Sequence, residues 1–409
     1  MACAVYVTGM GVVSCLGTGV AEFWQRLLEG QCGLGPITRF PLEGSPYAHG
    51  GEVRGFALRP WEECGLCAGA QFALEAARQA AAGLPADQRS SLAVVLATNF
   101  GPVERIAEGI RSAWARDGDV RFLGAGPYGE DVRAVAAQLG AGGPTAAVSL
   151  SCASGNAAVV HALALIRSGR AQAALACGYD SIQRSSWAGL SVLRVMAVGR
   201  NGRPPQVRPF DKDRSGTLFS EGAGCLLLES EAAARGRGAP LLAEVCGGAA
   251  NNDAYHMAHA DPEGCGTQAV IRMALEDAGV DPDEVDCVNA HGTGTKLNDL
   301  IEARAFHAVF GPRAASIPVT SLKGGLGHAM GAAGSLELIA DVMMLTERVI
   351  PPTVNHETID PEMGLDVVSG QPRRAPVRMV LDNSAGIGGT NAAVVLRQPA
   401  AEEAPPSDA

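Results

Sequence analysis

The sequence predicts an α/β fold, on three observations. Short apolar runs rich in β-branched residues alternate with longer stretches of helical character along nearly the whole chain. The runs are apolar on both faces, as in strands of a sheet covered by helices. Several helical stretches stop at a glycine, where a helix cap would sit.

Taken in order, MACAVYVTGMG (1–11) is apolar without a basic lead, and reads as a first strand and not a signal peptide. SLAVVLATNF (91–100) is a strand closed by Gly101-Pro102, residues 103–116 are helical, and RAVAAQLG (133–140) ends a helix on Gly140. TAAVSLSC (145–152) reads as a buried strand, 153–169 as a helix and AALACGYDS (173–181) as a strand. The rhythm then repeats. AEVCGGAANND (243–253) is strand then loop, TQAVIRMALEDAG (267–279) is a helix, and VDCVNAHGTGT (285–295) runs from strand into a glycine-rich loop. IEARAFHAVFG (301–311) is helical and SIPVTSLKG (316–324) is a strand. GSLELIADVMMLTERV (334–349) reads as an amphipathic helix, and residues 379–398 as two strands joined by a glycine turn. The division is expected near residue 245, giving halves 1–245 and 246–398. The Pro/Glu/Ala-rich tail 399–409 is expected to be disordered.

The composition narrows the function. Of 409 residues 47% are hydrophobic and 18% charged, enough apolar surface to bury a large core. A net charge of -11 lacks the basic face that non-specific nucleic-acid binding needs. No run reaches the length of a membrane span, so the expectation is a soluble cytoplasmic protein. The eleven cysteines are odd in number and irregular in spacing, unlike a secreted disulfide scaffold, and most are expected to be small buried hydrophobes. Cys64 and Cys67 form a C-x-x-C with no second ligand pair, so no metal is expected; His256 and His259 could share a helix face but make only two ligands. The loops Gly325-Leu326-Gly327 and His291-Gly-Thr-Gly-Thr-Lys lack dinucleotide and Walker spacing.

Three residues suit nucleophilic thiol chemistry. Cys152 falls where a strand meets a helix, and a helix start favours thiolate over thiol. On its own a Cys among small residues is more often core. His291 opens a loop after the strand VDCV, and His328 follows another strand with Lys323 five residues before it. Loops at the carboxyl ends of strands are the ligand side of an α/β sheet. His49, His161, His307 and His356 have no such setting and read as structural.

Eight segments then resemble the β-ketoacyl-acyl-carrier-protein synthases, the elongating ketosynthases of the thiolase-like superfamily. They are VTGMGVVSCLG (7–17), SLSCASGNAA (149–158), RPFDKDRSGTLFSEGAGCLLLE (208–229), NNDAYHMAHADPEG (251–264), NAHGTGTKLNDLIEA (289–303), SLKGGLGHAMGAAGSLELI (321–339), IPPTVN (350–355) and NSAGIGGTNAAVVL (383–396). The segment 178–197 is also similar to ketosynthases of type II polyketide and polyene pathways.

The resemblance implies duplicated βαβ halves layered α-β-α-β-α. It implies Cys152 as the nucleophile that takes an acyl chain from a carrier thioester. His291 and His328 would stabilise the enolate formed on malonyl decarboxylation. Lys323 would hold the histidines electrostatically, with Glu337 as its partner. The backbone N–H groups of Cys152 and Ile387 would form the oxyanion hole, and Thr293, Thr295 and Asn391 would bind substrate. No cofactor is implied beyond the 4'-phosphopantetheine that arrives on the acyl carrier protein. The partner is a second copy or a chain-length-factor-like subunit, and the alternative function is that of a non-catalytic partner subunit. Degradative thiolases use a second cysteine where this chain offers a second histidine, which favours synthesis.

Three departures from the family pattern stand out. Ala385 and Ile387 occupy positions usually held by Phe, the latter being the gate over the acyl pocket. Leu150-Ser151 replaces the commoner Thr-Ala before the nucleophile. The helix that usually offers basic residues to the acidic carrier reads RPWEECGLCAGAQF (59–72), with Glu62 and Glu63, so docking is expected to shift to Arg203, Arg208, Lys212 and Arg214, or to a second subunit.

Overall fold

The computed structural model describes residues 3–42, 45–115, 128–199 and 202–400; most of the tail 399–409 lies outside them. Ten principal strands carry the fold: β1 (Val5–Ser14), β2 (Ala93–Ala97), β3 (Thr145–Val148), β4 (Ala173–Asp180), β5 (Gly222–Ser230), β6 (Ala243–Asn252), β7 (Cys287–Asn289), β8 (Pro318–Thr320), β9 (Met379–Gly386) and β10 (Thr390–Arg397). They lie side by side as β8-β7-β9-β10-β6-β1-β5-β4-β2-β3. Read from its outer edge, each half has its third strand first, then its second, fourth, fifth and first. The pairings match as well: β2 is parallel to β3 and β4, as β7 is to β8 and β9. β4–β5–β1 and β9–β10–β6 are antiparallel. The duplication expected from the sequence is therefore present in topology as well as in rhythm. Residue 245 lies inside β6.

Helices pack in three layers around the strands. α1 (Ala68–Ala80) and α3 (Tyr128–Leu139) cover the outer face of the first half. α6 (Cys265–Ala278) and α7 (Lys296–Phe310) belong to the outer layer of the second, whose apolar cluster includes Ile271, Leu275 and Phe306. Between the halves lie α4 (Ser154–Arg167) and α8 (Ala333–Glu347), which touch each other and strands of both halves. Two further helices are α2 (Val103–Ala115) and α5 (Arg184–Val192).

The central layer explains one correction. α8 is not amphipathic: from Ala333 to Val342 every residue is buried, because it has protein on every side. A helix that is apolar nearly all round belongs in an interior. Close approach in this layer requires small residues. A Cβ at Gly155 would lie 2.4 Å from the Ser335 nitrogen, and one at Gly334 would strike the Asn156 side chain. His256 and His259 lie in a loop and share no helix, though their rings stack at 4.7 Å. Cys177 and Cys225 face each other across β4 and β5 and are joined as a disulfide, a pairing the sequence spacing did not suggest. Cys67, Cys152, Cys246 and Cys287 are buried free thiols.

Candidate active site

The turn between β3 and α4 lifts Cys152 towards the second half. Leu150 donates its N–H to the Ser154 hydroxyl at 2.8 Å, and that hydroxyl donates to the Ser151 carbonyl at 2.6 Å. Ser151 pays for the sharpness with a positive φ of 51°, a conformation that is strained for a residue with a Cβ. The corresponding turn of the second half, between β8 and α8, carries His328 and places Met330 at φ 55°.

Cys152, His291, His328, Thr293, Thr295, Ala385 and Ile387 line one cavity of about 230 Å³. The His291 and His328 rings meet edge to face with centroids 5.1 Å apart. His328 accepts the Met330 N–H on Nδ1 at 3.2 Å, which leaves its proton on Nε2, and its ring stacks on Phe219. Glu302 fixes the His291 loop: its carboxylate takes the N–H groups of His291 (2.7 Å) and Gly292 (2.8 Å) and the Asn383 amide (2.9 Å). Beneath them Lys323 is wholly buried and donates to Glu337 at 2.5 Å.

Burial governs the titration of these groups. It pushes His291 and His328 well below the usual imidazole range, and the Lys323 charge pushes both in the same direction. Both rings are therefore neutral donors at neutral pH. Burial also pushes the Cys152 thiol up to about 11, against the Ser151 hydroxyl, the Ile387 N–H and Lys323, which favour thiolate. Burial thus opposes the preference for thiolate that the helix start gives. Desolvation of a wholly buried sulfur outweighs the local donors.

Gly386 lets the loop after β9 reach the nucleophile. A Cβ there would lie 2.9 Å from the Cys152 nitrogen and 2.5 Å from the Thr390 hydroxyl. With no side chain in the way, the Ile387 N–H faces the Cys152 sulfur while the Ile387 side chain is half-exposed at the rim.

Other sequence candidates fall elsewhere. Asn391 is buried outside this cavity and spends its amide on Asp253 (2.7 Å), Asn251 and Gly389, so it ties loops together and does not face a ligand there. Arg214 is buried and bonded to Asp360 at 2.5 Å and to the Thr295 and Lys296 carbonyls. Arg208 pairs with Asp211 and Glu357. Neither offers a free charge to a carrier protein, because the arginine-rich segment is folded inward. Arg203 and Lys212 are exposed. Among the described residues no group of three or more His, Cys, Asp or Glu could hold a metal ion, and no helix is long and apolar enough to cross a membrane.

Comparison with known proteins agrees with this geometry. The Beta-ketoacyl synthase N-terminal domain matches residues 3–234 and the Beta-ketoacyl synthase C-terminal domain residues 242–357. The chain belongs to the β-ketoacyl synthase family, with the thiolase-like fold of its ketosynthases. It is 36% identical to the 3-oxoacyl-[acyl-carrier-protein] synthase 2 of Synechocystis, across 96% of this chain and 98% of that one. The solved ishigamide ketosynthase/chain length factor superposes with a TM-score of 0.89 at 37% identity, covering 98% of this chain and all of that one (100%). A type II polyketide ketosynthase, bound to its acyl-carrier protein and a hexaketide, superposes with a TM-score of 0.87 at 30% identity, with 98% and 100% covered.

Proposed function

We propose that the chain condenses a malonyl group on an acyl carrier protein with an acyl chain held on Cys152, giving a β-ketoacyl thioester in fatty-acid or type II polyketide synthesis. The observation that carries the reading is one cavity holding a thiol, two neutral imidazoles and a backbone N–H aimed at the sulfur.

In the first stage the Cys152 sulfur bonds to the thioester carbonyl carbon and the carrier's C–S bond breaks. The thiol proton leaves with the departing pantetheine sulfur, so no free thiolate need accumulate. The N–H groups of Cys152 and Ile387 meet the oxyanion. In the second stage the malonyl C–C bond to the carboxylate breaks and its electron pair becomes an enolate. His291 and His328 donate to the enolate oxygen. Imidazolium ions would instead have to lose a proton or strand a charge. The enolate carbon attacks the acyl carbonyl, and the released Cys152 thiolate is reprotonated from the medium.

Thr293 and Thr295, hydroxyls 2.9 Å apart on the cavity wall, suit the pantetheine arm. The arm arrives with the carrier, and no separate cofactor enters these steps. The reading keeps the nucleophile in the half 1–245 and both histidines in 246–398. Among the described residues β3 pairs only with β2, and its open side suits a second subunit, either another copy or a chain-length-factor-like partner. Exposed Arg203 and Lys212 suit the acidic carrier, and the chain is assigned to the cytoplasm with it. Purified chain given acyl- and malonyl-carrier thioesters should release CO2 and a β-ketoacyl product. A chain that did neither, yet raised the output of a separate ketosynthase, would be the non-catalytic partner instead.

A further inference from the structure

Asp180 ends β4 and is 1% exposed. One carboxylate oxygen takes the Thr98 hydroxyl at 2.7 Å and the Phe100 N–H at 3.0 Å. The other takes the Asn99 N–H at 2.9 Å and the Gly331 N–H at 2.7 Å. The Thr98 hydroxyl in turn accepts the Gly101 N–H at 2.8 Å, so it is committed as a donor to Asp180. Burial pushes this carboxyl up, but with both oxygens occupied by donors the ionised carboxylate is the form that fits. Among the described residues no cation pairs with it; backbone dipoles hold the charge.

These four bonds join pieces of both halves. Residues 98–101 lead from β2 to α2, and Gly331 follows His328 by three positions. A Cβ at Gly331 would lie 2.7 Å from both the Asn99 nitrogen and Asp180, so the junction is closed tightly. Between them Met330 is in a strained conformation and donates to His328 Nδ1. On the nucleophile's side, Ser154 has its hydroxyl 3.5 Å from the Thr98 carbonyl and also accepts the Leu150 N–H. Cys152 feels Asp180 as a negative charge, opposite in effect to Lys323; His259 and the neutral His291 and His328 are the other titratable groups lining its cavity.

We propose that Asp180 is a positioning residue for the condensation, anchoring the His328 turn to the loop that underlies Cys152. The proposal rests on the function proposed above. It is tested in the full-length chain by Asp180→Asn and Asp180→Glu, with malonyl decarboxylation read as CO2 release and Cys152 alkylation followed against pH by peptide mapping. Asp180→Asn keeps the volume but replaces an acceptor with a donor facing N–H groups. It should lose about 10- to 100-fold in decarboxylation, the scale on which a small displacement of a catalytic group acts. Its alkylation profile should move to lower pH, since the opposing charge is gone. Asp180→Glu restores the charge but not the reach, so its alkylation profile should return towards wild type while decarboxylation stays low. Wild-type decarboxylation with an unmoved profile in Asp180→Asn would overturn the proposal. If that variant fails to unfold cooperatively, Thr98→Val removes one donor at similar shape and should lose roughly 3- to 10-fold, a fraction of the displacement effect; an undiminished rate there would overturn the proposal equally. A wild-type chain that releases no CO2 would instead defeat the proposed function, and the alkylation profiles would still decide the role of Asp180.

Discussion

In the first half the turn between β3 and α4 carries Cys152; in the second, the turn between β8 and α8 carries His328. Both turns lead into a helix of the central layer, and both hold a residue at positive φ. Their surroundings differ. Cys152 has donors around it, yet burial pushes its thiol up against them, to about 11. His328 sits with Lys323, whose charge reinforces burial in keeping the ring neutral. One duplicated backbone thus yields a nucleophile that reacts as it sheds its proton and an imidazole prevented from gaining one. The lesson is that the duplicated frame supplies position, and a few buried charges supply the chemistry.

Substitutions break this comparison at different depths. Cys152→Ala should abolish acyl loading and condensation, at least ~1000-fold, as removal of a covalent nucleophile does. Decarboxylation, which uses the histidines, should survive within about tenfold. Product analysis and CO2 release separate the two.

Lys323→Met removes one partner of a buried pair and strands Glu337. A destabilisation of about 3–5 kcal/mol is expected from urea unfolding. His291 and His328 should then titrate at higher pH, so the acid limb of the decarboxylation profile should move up.

The pH dependence of stability sharpens the same point. A histidine whose folded pKa is depressed binds a proton in the unfolded chain but not in the folded one below about 6.5. Its contribution to stability is therefore full above that value and lost as pH falls through it. Glu302, raised to about 7 by burial, works the other way: it favours the folded state less as pH rises from about 4.3 to 7. His328→Asn should remove the His328 share of the first effect and leave those of His291 and Glu302, so its unfolding midpoint should fall less than wild type between pH 7 and 5.5. Identical slopes would mean that His328 is not held neutral in the fold.

The smallest effect concerns the rim. Ile387 is stiff at χ1 and fills less space than Phe, with Ala385 beside it also small. Ile387→Phe should narrow the acyl range towards flexible saturated chains, by about 3- to 10-fold in a competition between saturated and polyunsaturated acyl thioesters. Decarboxylation should be nearly unchanged, since the backbone donor remains. An unaltered preference would mean that neighbouring side chains refill the space.

The strand and helix order was legible because it is written in local periodicity, and Cys152, His291 and His328 were legible because each follows a strand. What escaped depends on tertiary neighbours. α8 carries Asp341, which looks like part of a solvent face until Asn289 and the sheets enclose it. Asp180 and Glu302 look like ordinary carboxylates; only folding turns them towards backbone N–H groups. Arg208 and Arg214 read as a basic surface because their acidic partners Glu357 and Asp360 lie more than a hundred residues away. The Cys177–Cys225 juxtaposition follows from the β4–β5 register, which no single strand encodes.

The division of labour between the two turns is tested most directly by intact-mass analysis of the chain after exposure to an acyl carrier thioester and then to malonyl carrier thioester. Wild type should show an acyl adduct mapping to Cys152 that disappears as β-ketoacyl product forms. His328→Ala should show the same adduct, persisting, with no product. Product from His328→Ala at the wild-type rate, or a wild-type adduct on any cysteine other than Cys152, would contradict the account.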